Sequence, residues 1–130
     1  MAPAAMDTLC ALLEDTGTEV GEYDMIITGD LGKLGSDILR DLMKDNGHYL
    51  GQNYSDCGGM IYDATQKCYQ GGSGAGCSAA VFNSFVLERL AKKELNKVVF
   101  LATGALMSNL TTYQGETIPA ISHAVVVQNI

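Results

Sequence analysis

The chain has 130 residues, of which 47% are hydrophobic and 18% charged, with 15 glycines and no tryptophan. This composition is typical of one folded domain and excludes a disordered, collagen-like or disulfide-dense chain. The net charge is −7, and most acidic residues come before residue 66. Because the chain lacks the clustered lysine and arginine that bind phosphates, we expect no nucleic-acid partner and no direct membrane insertion.

The cysteines and the apolar runs bear on the cellular compartment. No basic residue precedes Lys33, and no apolar run reaches the roughly 18 residues that a membrane span requires. Cys10, Cys57, Cys68 and Cys77 show no CxxC spacing, which is the usual signature of a zinc site or a redox pair. We therefore predict a cytoplasmic protein with four free thiols, no metal and no cofactor.

Helical and strand patterns alternate along the chain. Apolar residues recur with helical spacing in residues 4–15, 32–46 and 79–94. The last of these segments is apolar on most faces, so we expect it to be central and buried. Short apolar runs predict strands at residues 23–28, 98–103 and 121–127, with a weak edge-strand candidate at Met60–Tyr62.

The order of these elements predicts an α/β fold. Strands that alternate with helices form a mostly parallel sheet with crossover helices. The last two strands follow each other without a predicted helix, which favours an antiparallel end strand. The sequence shows no internal repeat and no low-complexity linker, so we predict a single domain over residues 1–130.

The sharpest local motif is GGSGAGCS, residues Gly71–Ser78, just before the third predicted helix. Glycine backbone amides at a helix start favour an anion, such as a ligand carboxylate. The motif lacks the lysine of a P-loop and the remainder of a dinucleotide fingerprint. An equally good interpretation is that these glycines only allow close packing of a buried helix.

Three side chains near these elements are candidates for chemistry. Cys77 lies at a helix start, where the helix dipole lowers a thiol pKa, and His123 could serve it as a base. The simpler interpretations are a buried cysteine and a structural histidine. Asp30 follows the first strand and either binds a ligand or caps the helix over residues 32–46, and we favour capping.

Four segments together resemble one protein family. They are Tyr23–Gly35 (YDMIITGDLGKLG), Gly71–Ser78 (GGSGAGCS), Phe100–Ser108 (FLATGALMS) and Gly115–Val125 (GETIPAISHAV). The chain resembles the stage V sporulation protein AD family, which is related to thiolases and ketoacyl synthases. The resemblance runs over nearly the whole chain and covers the C-terminal half of the family's usual length, so we interpret the chain as a fragment of a longer protein.

The resemblance implies the C-terminal half of a thiolase-like fold, in which each half has a five-stranded sheet of order 3-2-1-4-5. The chain starts after the first, central strand of that half. We therefore expect an empty place between the strands at 23–28 and 98–103. Such a chain should self-associate or require its other half, because the inner strands would lack partners.

The resemblance also implies that the catalytic residues are missing. Ketoacyl synthases carry a histidine where this chain reads Gly29-Asp30, and thiolases carry one near Gly71–Ser73. The second thiolase cysteine falls near Ala102. We therefore expect a non-catalytic binding module. The alternatives are a remnant acyl-transferring enzyme that uses Cys77 with His123, and a purely structural half of a larger assembly.

For this sporulation family, the resemblance implies binding and uptake of dipicolinic acid, free or as its calcium chelate. The implied partners are other stage V sporulation proteins at the inner forespore membrane, together with the N-terminal half of the fold or a second copy. Ligands of α/β sheets bind beyond the carboxyl ends of parallel strands. The predicted ligand residues there are Gly29, Asp30, Gly71, Gly72, Ser73, Cys77, Ser78, Thr103, Gly104, Met107 and His123.

Overall fold

A four-stranded sheet lies between two layers of helices in the computed structural model, which describes residues 1–130. The helices are α1 (Ala2–Thr16), α2 (Gly32–Asp45), α3 (Cys57–Met60), α4 (Cys77–Val81), α5 (Leu87–Ala91) and α6 (Asn109–Tyr113). The strands are β1 (Met25–Thr28), β2 (Tyr54–Asp56), β3 (Lys97–Ala105) and β4 (Ala120–Gln128). A π-helical segment, Phe82–Val86, joins α4 to α5.

The strand order β2-β1-β3-β4 confirms a mixed, mostly parallel sheet. Strand β1 is parallel to both of its neighbours, and β4 is antiparallel to β3, as predicted for the end strand. The predicted empty place beside β1 is wrong, since β1 pairs with β3 directly and Met25 lies opposite Val98. Self-association therefore does not follow from unpaired inner strands, because both inner strands have partners on each side.

The side chains of β1 alternate between two buried cores. Ile26 packs in the core that contains Leu9 of α1 and Leu39 of α2. Ile27 points to the opposite side, in the core that contains Val81 and Val86. Because helices cover both faces of the sheet, all four residues of β1 are buried, and the first three of them, Met25-Ile26-Ile27, are apolar.

Three elements differ from their predicted form. The edge strand is Tyr54–Asp56 and not Met60–Tyr62, because pairing with β1 orders a short polar segment that has no strand pattern of its own. The predicted loop before β4 contains the short helix α6. The helix from α4 to α5 is buried along one face through Val81 and Leu90, whereas Leu87 on another face is 40% exposed.

Shortening a buried isoleucine side chain of β1 should lower the free energy of unfolding more than shortening an exposed isoleucine side chain does. Ile27 is fully buried, so Ile27→Ala should lower the free energy of unfolding by about 2–5 kcal/mol. Ile38 is 42% exposed, and Ile38→Ala should lower it by less than about 1 kcal/mol. Urea unfolding followed by circular dichroism measures both, and equal losses would contradict the position of β1 between the cores.

Candidate functional site

The carboxylate of Asp56, at the end of β2, anchors the loops around the carboxyl edge of the sheet. It is 5% exposed. Its Oδ1 accepts hydrogen bonds from Thr28 Oγ1 (2.6 Å) and Leu31 N (2.9 Å), and its Oδ2 from Gly32 N (2.9 Å) and Gly59 N (3.0 Å). The amides belong to the starts of α2 and α3, where a negative charge is favourable.

Asp30 joins three loops and does not cap a helix. Its Oδ2 accepts hydrogen bonds from Ser73 Oγ (2.7 Å) and Gly74 N (3.1 Å), and its Oδ1 from Thr103 Oγ1 (3.0 Å). The predicted capping role is therefore wrong, because Asp56 already accepts the first amides of α2. Asp30 instead ties the glycine-rich segment to the ends of β1 and β3.

These loops enclose a cleft of about 540 Å³ at the carboxyl ends of β1 and β3. This is the edge of the sheet where α/β proteins bind ligands, and the volume lies within the ~300–1,000 Å³ of small-molecule sites. The lining residues are Met1, Asp30, Ser73, Gly74, Ala75, Ser78, Thr103, Gly104, Ala105 and Met107. Asp30 is the one charged side chain among them.

The cleft brings together many of the predicted ligand residues. Those that line it are Asp30, Ser73, Ser78, Thr103, Gly104 and Met107. Gly29 does not line the cleft but directly precedes Asp30, and its amide donates to the carbonyl oxygen of Leu101 on β3 (3.0 Å). A Cβ atom on Gly29 would lie 2.8 Å from Thr103 Oγ1, so the close approach of the two strand ends requires glycine there.

Gly71 and Gly72 lie away from the cleft and pack against α3. Gly72 N donates to the carbonyl oxygen of Gly58 at 2.7 Å. Gly71 has φ +96°, and a Cβ atom on it would overlap the same carbonyl. These two glycines therefore serve close packing, while Gly74, with φ +111°, serves the cleft. The close-packing interpretation of the glycine motif is thus confirmed for Gly71 and Gly72, and the ligand-binding interpretation stays a prediction for the residues that line the cleft.

Cys77 and His123 lie on different elements, at the start of α4 and on β4. Cys77 is 4% exposed and lies in the core beneath β1 and β3 side chains such as Ile27. Burial raises the pKa of the Cys77 thiol, and the carboxylates of Asp30 and Asp56 raise it further. The prediction that the helix start lowers this pKa is therefore wrong. His123 has an exposed side chain and lies on β4 opposite Ala102.

Some site residues were not predicted from the sequence. The predicted set omitted Gly74, Ala75 and Ala105, which line the cleft beside residues that it included. Asp56 was missed because its strand has only three residues and no alternation of apolar side chains. The available signal was an acidic residue directly before Cys57-Gly58-Gly59, a pattern that suits the start of a helix.

A second cleft, of about 340 Å³, lies beside α2 and is lined by Lys33, Arg40 and Tyr69 among others. The Arg40 guanidinium donates to the carbonyl oxygens of Gly51 (3.0 Å) and Tyr54 (3.3 Å). It also stacks on the Tyr54 ring, 4.7 Å from the centroid. The Arg40 side chain thus holds the chain around β2.

The cysteine prediction is confirmed, since all four cysteines are free thiols. No group of three or more histidine, cysteine, aspartate or glutamate side chains is arranged to hold a metal ion. No helix has both the length and the apolar character needed to span a bilayer.

The fold and the cleft define a three-layer α/β unit with an open cleft at the carboxyl edge of a mixed sheet. The chain belongs to the Stage V sporulation protein AD (SpoVAD) family, whose sequence profile matches residues 1–128. It is 44% identical over 128 residues to Stage V sporulation protein AD of Bacillus subtilis (strain 168), a match that covers 98% of this chain and 38% of that protein. The resemblance seen in the sequence is thereby confirmed, and it supports a role in sporulation.

Neutralising Asp56 should destabilise the fold strongly. Asp56→Asn places an amide group where two backbone donors now meet a carboxylate oxygen, so it should lower the free energy of unfolding by at least about 2 kcal/mol. Asp37→Asn is the matched control, since Asp37 forms an exposed ion pair with Lys33 and should contribute less than about 1 kcal/mol. Chemical unfolding of both variants checks this, and a harmless Asp56→Asn would contradict the anchoring role.

The four thiols should differ widely in their rates of alkylation. Cys68 is exposed, whereas burial, with the nearby Asp56 carboxylate, raises the pKa of Cys57 to about 12. Because only the thiolate reacts, iodoacetamide at neutral pH should modify Cys68 first, and Cys57 and Cys77 only slowly. Mass spectrometry of the native and urea-unfolded chain measures this. Native labelling of Cys77 as fast as Cys68 would support the acyl-transfer alternative.

Proposed function

We propose that the chain takes part, without catalysis, in binding dipicolinic acid and in its uptake into the developing spore. The family gives the sporulation context. The observation that carries the proposal is the cleft of about 540 Å³, whose walls offer hydroxyl groups, backbone and one carboxylate. A small polar ligand that binds through oxygen atoms fits such walls.

The position of Asp30 favours the calcium chelate over free dipicolinate. Ser73 Oγ and Gly74 N, which could have bound a ligand carboxylate, already donate to Asp30. A free dianion in the cleft would meet this negative charge and no cationic side chain. The calcium chelate has no net charge, and its Ca²⁺ accepts further carboxylate oxygens. The proposed contact is therefore between Asp30 and the calcium ion.

The proposed lack of catalysis rests on the state of Cys77. Acyl transfer needs a thiolate and a base within hydrogen-bond reach of the reacting atoms. The buried thiol has a raised pKa, and the exposed His123 lies on a different element. A binding module explains this arrangement better than a remnant acyl-transferring enzyme does.

The proposed setting is the inner forespore membrane, reached through other stage V sporulation proteins. The chain carries a net charge of −7. Because anionic lipid headgroups repel such a chain, contacts with proteins explain membrane association better than contacts with lipid. The N-terminal part of the fold is a further proposed partner.

Filling the cleft should weaken ligand binding. Ser78 lines the cleft, so Ser78→Phe should lower the affinity for calcium dipicolinate at least about tenfold. Ser84→Phe, an exposed position on the same continuous helix, is the matched control and should change the affinity less than about twofold. Isothermal titration calorimetry of the folded 130-residue variants measures both.

Asp30→Asn tests the form of the ligand. It should weaken binding of the chelate and leave free dipicolinate bound equally or more tightly, because it removes a calcium ligand and a repelling charge.

Equal binding by the Ser78 and Ser84 variants would place the site elsewhere. A folded parent chain that binds neither form would support the structural alternative. Acyl-CoA turnover that is lost in Cys77→Ser would support the enzyme.

A further inference from the structure

The second cleft collects positive charge in an acidic part of the chain. Residues 1–65 contain most of the acidic residues, and their basic residues are Lys33, Arg40 and Lys44. Lys33 and Arg40 both line the second cleft, and Asp56 is the one acidic side chain there. Both oxygens of Asp56 already accept hydrogen bonds from the protein. The second cleft is therefore net positive, whereas the one charged side chain of the first cleft is negative.

One face of α2 forms the floor of the second cleft. Lys33, Ser36 and Arg40 are spaced i, i+3 and i+7, so their side chains lie on the same face of the helix. Lys33 pairs with Asp37 at 2.8 Å, but both side chains are exposed, and exposed ion pairs are weak. Arg40 donates to carbonyl groups, which orient its guanidinium without cancelling its charge, and forms no ion pair. Both cations are thus available to an anion.

A buried hydroxyl in this floor has no hydrogen-bond partner. Ser36 Oγ is closed off from solvent and makes no hydrogen bond. The nearby Tyr54 hydroxyl interacts with Thr28 Oγ1 instead, at 2.9 Å. A buried polar group without a partner is unfavourable. Because Ser36 lines the second cleft, a ligand oxygen that accepts its hydroxyl hydrogen would remove this cost.

Aromatic rings line the second cleft from the segment between α3 and α4. Tyr62 and Tyr69 both belong to this segment. The Tyr69 side chain is 79% exposed, although the backbone beside it is anchored. The carbonyl oxygen and Oε1 of Gln70 accept the amides of Lys33 and Leu34, both at 3.0 Å. An exposed ring that is held beside two cations suits a ligand with a flat ring of its own.

We propose that the second cleft binds a small aromatic anion, meaning a planar ring that carries a carboxylate or phosphate group. The anionic group contacts Lys33 and accepts the Ser36 hydroxyl hydrogen near the charge of Arg40, and the ring stacks on Tyr69. The volume of about 340 Å³ is at the lower end of the ~300–1,000 Å³ of small-molecule sites, so one substituted ring fits. The proposal does not depend on ligand binding beside Asp30.

Isophthalate is the probe, because it joins a flat ring to two carboxylates and lacks the ring nitrogen with which dipicolinate chelates calcium. Two-dimensional NMR of the 130-residue chain in calcium-free buffer should show shifted amide signals for Lys33, Ser36 and Tyr69, with Gly74 and Thr103 unchanged. The expected dissociation constant is on the order of a millimolar. The saturated ring analogue of isophthalate has the same charges without a flat ring, and should bind at least about threefold more weakly.

Matched variants of exposed side chains test the contacts. Lys33→Gln should weaken isophthalate binding at least about threefold. Lys44→Gln removes the same charge about 16 Å away along α2, beyond the ~10 Å screening length at 0.1 M salt, and should leave binding nearly unchanged. Tyr69→Ala should weaken binding about as much as Lys33→Gln, whereas Tyr49→Ala, at a 76% exposed tyrosine outside the cleft, should not.

Several outcomes would overturn the proposal. They are the absence of signal changes at isophthalate concentrations on the order of 10 mM, changes centred on Thr103, and equal binding of the saturated analogue. Equal losses in Lys33→Gln and Lys44→Gln would show a general charge effect and overturn it too. Ser78→Phe should leave isophthalate binding intact, because Ser78 lines only the first cleft. Failure here is therefore distinguishable from failure of calcium dipicolinate to bind beside Asp30.

Discussion

The buried carboxylate of Asp56 is the interaction on which the carboxyl edge of the sheet depends. A buried charge is costly unless donors surround it, and here the donors come from the end of β1 and the starts of α2 and α3. The cost of burial is offset only when all of these segments are in place. One side chain therefore fixes the strand end, two helix starts and the loop that carries Asp30.

The second carboxylate at this edge, Asp30, gives the cleft its chemical character. Both acids accept backbone and hydroxyl hydrogen bonds, but Asp56 is enclosed whereas Asp30 lines an open cleft. A glycine-rich segment before a helix ordinarily favours an anion. In this chain the anion is the protein's own Asp30 side chain, which accepts the amide of Gly74. The glycine-rich segment therefore forms a wall of the cleft that carries a negative group.

The long periodic elements could be predicted from the sequence, and the short or long-range features could not. α1, α2, β1 and β3 each carry an apolar pattern of their own, and the strand ends of a parallel sheet locate the cleft. Strand β2 depends on pairing with β1, so no local pattern marks it. The roles of the two acids depend on partners far along the chain, such as Thr103 for Asp30. The expected gap between β1 and β3 does not exist, because the two buried strands pair directly and their backbone groups hydrogen-bond to each other.

The first helix and the last strand support the cleft from the side of the sheet. Thr103 and Gly104 line the cleft, and their partners on β4 are Ser122 and Ile121. Thr8 of α1 donates to the carbonyl oxygen of Ser122 at 3.0 Å. Helix α1 therefore holds β4 in place, and β4 in turn holds the part of β3 that forms one wall of the cleft, so the shape of the cleft depends on an element that does not line it.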